Sequence, residues 1–336
     1  MTRTTERSST RSSKTSSSRS SKSSKPTSSR STKSSTTEPC DSIYDLELIG
    51  QGGTGLVFKV NDRSVIKVPI TSSFGLQAIE RERQIYRRLR KRPSNYVVQC
   101  LDAEHRSGLF LERCIGTVRG RLRQMLSGGS AFPKINSDDA LDLAGRWAYQ
   151  AAEGLAHIHR YNIIQADVGC HNMLLDQEGN LKLADFSGSS MTDKPDSQAL
   201  IIYDIRSRMP NVYEPDHASD MFALGSAIYE MVTGHLPYPT LAEKEVQRLF
   251  YQRRFPELDR LELFKSIANA IRGCWLVNTE GGFISAKDVA NELRKTVEKE
   301  GITVKTMTEE IHAIIRGLVI AAKGTATSKK RKTFPS

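Results

Sequence analysis

Cysteine is scarce in this 336-residue chain: five residues (Cys40, Cys100, Cys114, Cys170 and Cys274), an odd number with no Cys-x-x-Cys pair. That argues against a disulfide framework and a four-ligand zinc site, and points to reduced thiols in the cytoplasm and/or nucleus. Long apolar runs are missing too. Nothing reaches the roughly 18 consecutive apolar residues a membrane span needs, and the most apolar late stretch, Ile311 to Ala322, is broken by His312 and Arg316. Residues 1–37 lack apolar side chains apart from Met1 and Pro26, so no apolar core of a secretory leader is present there. Acid is nearly absent from both ends. The first 37 residues hold 25 Ser or Thr, nine Lys or Arg and only Glu6, for a net +8; Ala321 to Ser336 hold five bases and no acid. With +11 overall, residues 38–320 carry −2. A near-neutral middle excludes a uniformly basic nucleic-acid-binding domain, and leaves the basic tails only weak electrostatic contact with nucleic acid.

At roughly 150 residues per domain, the length suits one large or two modest domains. Residues 1–40 read as a disordered tail, because nothing in them offsets the entropy of ordering. It is either a solubilising segment or, with hydroxyls beside Arg and Lys as in Arg7-Ser8 and Arg30-Ser31, a phosphorylation target. From Ile43 the pattern changes. Leu46–Ile49 and Leu56–Val60 flank a glycine cluster as a hairpin, and Ser64–Val68 forms a third strand closed by Pro69. Ala78 to Leu89 places Ile79, Ile85, Tyr86 and Leu89 on one helical face. Strands around Val97–Leu101 and Leu109–Glu112 complete a β-rich segment over 43–113. The segment 114–300 is mainly helical, with one long helix from Asp138 through Trp147 and Leu155 to His159. Two short strands there, Met173–Leu175 and Leu181–Ala184, flank a turn, and helices follow over Asp220–Val232 and Ala286–Val297. Thr308-Glu309-Glu310 reads as the cap of a helical extension over 301–322. A basic tail, 323–336, carries the Lys329-Lys330-Arg331-Lys332 run, which is similar to a nuclear-localisation signal.

Chemistry concentrates at four places. Gly50-Gln51-Gly52-Gly53-Thr54-Gly55-Leu56-Val57 fits G-x-G-x-x-G-x-V, and glycines there let a hairpin backbone approach phosphates. A dinucleotide-binding turn shares the spacing but would open a helix; here a strand follows. Lys67 ends an apolar strand 12 residues beyond Gly55, placed to reach phosphates under that loop. On the next helix Glu82 and Glu80 both stand ready to pair with it, and Glu82 is favoured by the apolar Ile85-Tyr86 that follows. Asp167 and Asn172, five apart on a loop entering a strand, offer a carboxylate to a hydroxyl and an amide oxygen to a hard cation, and Asp185 adds a second oxygen ligand. Cys114 is read as a small packed side chain in preference to a reactive thiol, and His157 and His159 as structural.

These motifs, in this order and spacing, resemble the eukaryotic protein kinase family from about Tyr44 to Val297, as do Ser219-Asp220…Leu224-Gly225 with Tyr229-Glu230-Met231, and Cys274-Trp275. The resemblance implies an α+β, two-lobed fold with a β-rich N-lobe (43–113) bearing one helix and a mainly helical C-lobe (114–300). It implies ATP and Mg²⁺ as cofactors and a protein substrate phosphorylated on Ser or Thr. By the same resemblance Gly50, Gly52 and Gly55 cover the phosphates. Val57, Val65 and Leu174 sandwich adenine beside Ile49, and Leu111 to Cys114, with Glu112, form the hinge of the ATP site. Lys67, paired with Glu82, contacts phosphates; Asn172 and Asp185 hold Mg²⁺; Asp167 is the catalytic base. Phe186 packs under the Glu82 helix.

Several positions depart from the family. Gln165-Ala166 replaces His-Arg, which removes the arginine that pairs with a phosphorylated activation segment. Gly169 stands where Ser/Thr kinases carry lysine. His171 precedes the metal asparagine, which argues against an Arg-directed substrate, and Ser187 replaces a glycine. Met209-Pro210-Asn211 and Phe283-Ile284-Ser285 lack both partners of a family ion pair. A nucleotide-binding pseudokinase and a kinase-like small-molecule phosphotransferase stay open as alternatives.

Overall fold

The structure, a computed structural model, describes residues 45–128, 138–194, 199–200, 204–258 and 264–299. The expected N-terminal tail, the helix cap at Thr308 and the C-terminal basic run lie outside them. Alternating apolar and polar residues from Glu47 build five antiparallel strands: β1 (Glu47–Gln51), β2 (Gly55–Lys59), β3 (Ser64–Pro69), β4 (Cys100–Asp102) and β5 (Leu109–Glu112). Their order across the sheet is β1-β2-β3-β5-β4. Val57 pairs with Lys67 and Val65 with Leu111. Because side chains alternate along a strand, Val57, Val65 and Lys67 share one face. The β1–β2 register slips between Leu48 and Gly50, with Ile49 as the bulged residue.

Helix α1 (Ser73–Leu89) buries Ile79, Ile85, Tyr86, Leu89 and also Glu82. It starts five residues before the expected Ala78. Ser72 caps it, its side chain accepting the Gly75 amide at 3.1 Å. The first turn escapes the apolar stripe because Phe74 and Leu76 are exposed. The strand expected at Val97–Leu101 is also corrected: β4 begins at Cys100. Val97 and Val98 instead follow β9 (Leu181–Leu183), where Val98 N donates to Leu183 O and Leu183 N to Tyr96 O, each at 2.9 Å. These two bonds tie the chain between α1 and β4 to the second lobe.

That lobe comprises β6 (Gly116–Thr117), α2 (Val118–Leu126), α3 (Asp138–Arg160), β7 (Ile163–Ile164), β8 (Met173–Leu175), β9, β10 (Ser190–Met191), α4 (His217–Thr233), α5 (Glu243–Tyr251), α6 (Lys265–Trp275) and α7 (Ala286–Lys299). Strands β6-β8-β9 and β7-β10 form two small antiparallel sheets. This is the expected α+β arrangement, a sheet with one helix followed by a mainly helical lobe. Helix α4 is buried along nearly its whole length, because apolar or small residues occupy every face: Met221, Phe222, Ala223, Leu224, Gly225, Ala227 and Ile228. Asp216 and Ser219 form a reciprocal capping box at its start, and left-handed Gly234 (φ 78°) ends it. A Cβ on Gly225 would lie 2.7 Å from the Cβ of Cys274, so only glycine lets α4 and α6 cross this closely. Phe222, Phe250, Phe255 and Trp275 form a connected aromatic group at 5.1–6.2 Å between ring centres. Among the described residues, no helix is long and apolar enough to cross a membrane.

Phe222→Ala should cost about 3–5 kcal/mol by cavity formation, whereas Ile284→Ala, at a side chain 92% exposed, should stay within about 0.5 kcal/mol. Denaturant unfolding of both variants checks the contrast.

Candidate active site

Strand β3, helix α1 and the loop after β9 each bring one charged group to the same buried point. Lys67 Nζ lies 2.7 Å from Glu82 Oε2 and 2.8 Å from Asp185 Oδ1. Glu82 is the partner on α1; Glu80 points outward to Arg83 and Arg87. Burial opposes the charge on Lys67, but Asp185 and Glu82 outweigh it and raise its pKa, so the ammonium is held. Burial also pushes the Asp185 carboxyl up, yet the Lys67 ammonium and the Ser187 hydrogen bonds overcome that and hold it at about 2. Glu82 is pushed above the ordinary carboxylate range by burial, against the pull of Lys67. Its Oε1 accepts the Phe186 amide at 3.2 Å. Phe186 is fully buried and meets Tyr86 edge-on at 5.3 Å, under α1 as expected.

The loop that leads to Asp167 hangs from α4. The buried Asp220 carboxylate accepts Gln165 N at 2.8 Å, Ala166 N at 2.9 Å and His159 Nε2 at 3.0 Å. His159 is thereby structural, as is His157, which bonds Arg92 O. Ala166 (φ 63°) and Asp185 (φ 58°) are both left-handed without being glycine, a strain of order 1–2 kcal/mol each. The Asp220 and Lys67 contacts hold them there. The turn falls on Asp185 and not on Ser187, so a serine in place of the family glycine costs no strain.

On this loop Asn172 Nδ2 donates to Asp167 O at 3.0 Å and to Asp167 Oδ2 at 2.7 Å, which leaves its Oδ1 unengaged. The Asn172 carbonyl accepts Ala184 N at 2.9 Å, placing this residue beside the one preceding Asp185. Asp185 spends Oδ1 on Lys67 and Ser187 N, leaving Oδ2. Two hard oxygens from the residues just before β8 and just after β9 are a donor set that fits Mg²⁺ completed by phosphates and water. Among the described residues no cluster of three His, Cys, Asp or Glu offers an all-protein metal cage.

The residues expected to wall a nucleotide lie on β1, β2, β3, β5 and β8 and in the chain between β5 and β6. Gly50 pairs with Val57, and Gly52 N donates to Gly55 O at 2.9 Å to close the hairpin turn. Gly55 has a structural reason, since a Cβ there would lie 2.7 Å from Val68 O. A Cβ on Gly50 or Gly52 would meet nothing closer than 3.5 Å, so the chain's own packing does not require those two glycines. Ile49 is exposed on its bulge, and Val57 and Leu174 are half-buried against the core that contains Val65. In the hinge, the Glu112 side chain is spent on structure: Oε1 accepts Gln99 N at 2.7 Å, and both oxygens meet Lys182 Nζ at 2.8–3.0 Å. Burial pushes the Cys114 thiol up to about 12, so it is not a reactive thiolate.

The protein kinase domain family matches residues 43–314. The chain belongs to the protein kinase family. It is 28% identical over 207 residues to a probable serine/threonine-protein kinase of Dictyostelium discoideum, covering 58% of this chain and 40% of that protein. Against the mouse serine/threonine-protein kinase A-Raf it is 25% identical over 253 residues, 70% of this chain and 39% of the relative. For the serine/threonine-protein kinase ppk11 of Schizosaccharomyces pombe the figures are 24% over 242 residues, 68% and 74%. The chain thus spans about 40% of the length of the first two.

This kinase domain meets its departures from the family with other contacts. Gln165 Nε2 donates to Ala184 O at 2.9 Å, binding the loop before Asp167 to the residue that follows β9. Phe283 packs on Gly273, so one end of the absent family ion pair is apolar and strands no charge. Three ties were not foreseen: Arg81 to Ser187 O (2.8 Å), Arg88 to Asp193 (2.7 Å) and a two-pronged Arg119–Glu230 pair (2.6 and 2.8 Å). Each joins residues about a hundred positions apart, and no local pattern announces such a contact.

Lys67→Met would leave the Glu82 and Asp185 carboxylates facing each other without a counter-charge, a loss of about 3–5 kcal/mol. Burial then holds the folded pKa of Glu82 above its unfolded value. The stability this group contributes is therefore full below the unfolded pKa and is lost as pH rises through the folded one. The deficit against wild type should be smaller near pH ~5 than near pH ~8 in denaturant titrations; a deficit that grows on acidification refutes the assignment.

Proposed function

We propose that this domain is an ATP-dependent protein kinase that phosphorylates Ser or Thr hydroxyls of protein substrates. The observation that carries the reading is the Lys67 ammonium clamped between Glu82 and Asp185, with Asp167 and Asn172 hydrogen-bonded on the adjoining loop. The names of the serine/threonine-protein kinases it resembles support the hydroxyl class. Bound Mg²⁺-ATP supplies the γ-phosphoryl group and neutralises its developing charge. Lys67 binds phosphate oxygens, and the Asn172 and Asp185 oxygens hold the metal. The Gly50–Gly55 hairpin covers the phosphates; Ile49, Val57, Val65 and Leu174 enclose the base next to Glu112 and Cys114. Asp167 orients the substrate hydroxyl and takes its proton as the new O–P bond forms and the bond to the β-phosphate oxygen breaks.

Incubation with labelled ATP, Mg²⁺ and a peptide panel tests this. Wild type should label Ser/Thr peptides. Lys67→Met and Asp185→Ala should lose about 10²–10³-fold, and Asp167→Asn about 10²–10⁴-fold. Nucleotide binding without transfer would favour a pseudokinase, and transfer only to metabolites a small-molecule phosphotransferase.

Activity should also be independent of phosphate on the segment after Asp185. Ala166 offers no cation to receive one, and Arg88–Asp193 and Arg81–Ser187 already fasten the start of that segment to α1. Phosphatase treatment should leave the rate within about twofold; a loss on treatment refutes this.

A further inference from the structure

We propose that His171 is the positioning residue for Asp167, and that Gly169 is glycine to make room for it. The inference rests on the phosphotransfer reading and deepens it. His171 Nε2 lies 3.1 Å from Asp167 Oδ2, the same oxygen that accepts Asn172 Nδ2 at 2.7 Å. A carboxylate can only accept, so the proton of that bond sits on His171 Nε2. His171 Nδ1 is enclosed and has no partner, an arrangement that suits a bare lone pair and completes the Nε2–H tautomer.

The other edge of the ring meets the backbone of residue 169. A Cβ built on Gly169 would lie 2.6 Å from His171 Cε1 and 2.7 Å from Nδ1, closer than side chains approach one another. Any residue but glycine at 169 would push the imidazole off Asp167. The missing lysine at 169 and the histidine at 171 are therefore one device: the two positions compete for a single volume, and this chain fills it with the ring.

The consequence for chemistry lies in which oxygen is tied. One bond from Asn172 would leave the carboxylate free to turn about its terminal torsion. Two donors converging on Oδ2 fix its plane and reserve Oδ1 for the incoming hydroxyl, and misplacing a catalytic group by about 1 Å can cost on the order of a hundredfold.

His171→Ala and Gly169→Ala should each lower kcat tenfold or more, with ATP dissociation constant, KM for ATP and melting temperature close to wild type. The double variant should be no slower than His171→Ala, since no ring remains to displace, and His171→Gln, which keeps an N–H donor, should recover part of the loss. Unchanged kcat in either single variant, or additive losses in the double, overturns the proposal. Nitrogen NMR of the full chain gives a readout apart from turnover. His171 should be the Nε2–H tautomer in wild type and should lose that signature in Gly169→Ala. An Nδ1–H or averaging ring overturns the proposal whether or not phosphate is transferred. A tethered ring in a wild-type chain that transfers no phosphate overturns the kinase reading instead, and the role of the tether with it.

Discussion

A lysine ammonium removed from water is tolerable only where carboxylates meet it at contact distance, and that requirement organises this molecule. Lys67, on the third strand of the sheet, satisfies it with one carboxylate from the helix and one from the far lobe. Helix α1 is consequently held against the sheet by Glu82 as well as by its apolar stripe. Glu82 in turn receives the Phe186 amide, so the charge network and the apolar contact of Phe186 with Tyr86 share one hinge point. Removal of either carboxylate would leave the buried ammonium half-compensated, and networks of this kind are stable only when complete.

A second buried carboxylate does the corresponding work for the loop that bears Asp167. Asp220 belongs to α4, the most enclosed of the described helices, and takes two backbone amides from a strained loop more than fifty residues away and one imidazole from the last turn of α3. Rigidity passes from the aromatic group around Phe222 through the backbone of α4 to the loop that presents Asp167. The left-handed turns at Ala166 and Asp185 are affordable because each lies next to one of these anchors. Strained backbone held by such anchors is the kind of feature that clusters at functional sites.

Much of this was legible in the chain itself. The strands announced themselves by alternation, the long helix by its 3.6-residue stripe, and Lys67, Glu82, Asp167, Asn172 and Asp185 by type and order. Where reading failed, the reason was physical. The first turn of α1 depends on the Ser72 cap while its apolar residues face solvent, so periodicity could not mark it. Val97 and Val98 have strand composition but hydrogen-bond to the other lobe, and composition does not name a partner. That Ser187 can replace a glycine without strain was not readable either, because which residue takes the left-handed turn, here Asp185, is set by its tertiary anchors. Contacts such as Arg119–Glu230 and Lys182–Glu112 depend on tertiary proximity alone.

The departures from the family follow a common physical rule. A position that loses a polar or charged residue in a packed site must lose its partner too or find another, because an orphaned group costs more than a missing pair. Gln165 supplies an amide donor to the Ala184 carbonyl, just past β9, in place of the imidazole that would stand there. Loss of the arginine at 166 leaves no buried cation seeking phosphate, and the segment that phosphate would have fastened is instead tied through Asp193 and the Ser187 carbonyl. Position 283 is apolar and packed on Gly273, so no lone charge waits for the absent glutamate. The replacement is complete away from the loop and partial on it: Gln165 Nε2, Arg88 and Arg81 have acceptors, whereas Gln165 Oε1 and His171 Nδ1 are buried without a hydrogen-bond partner, so the polar cost of the departures is concentrated around Asp167.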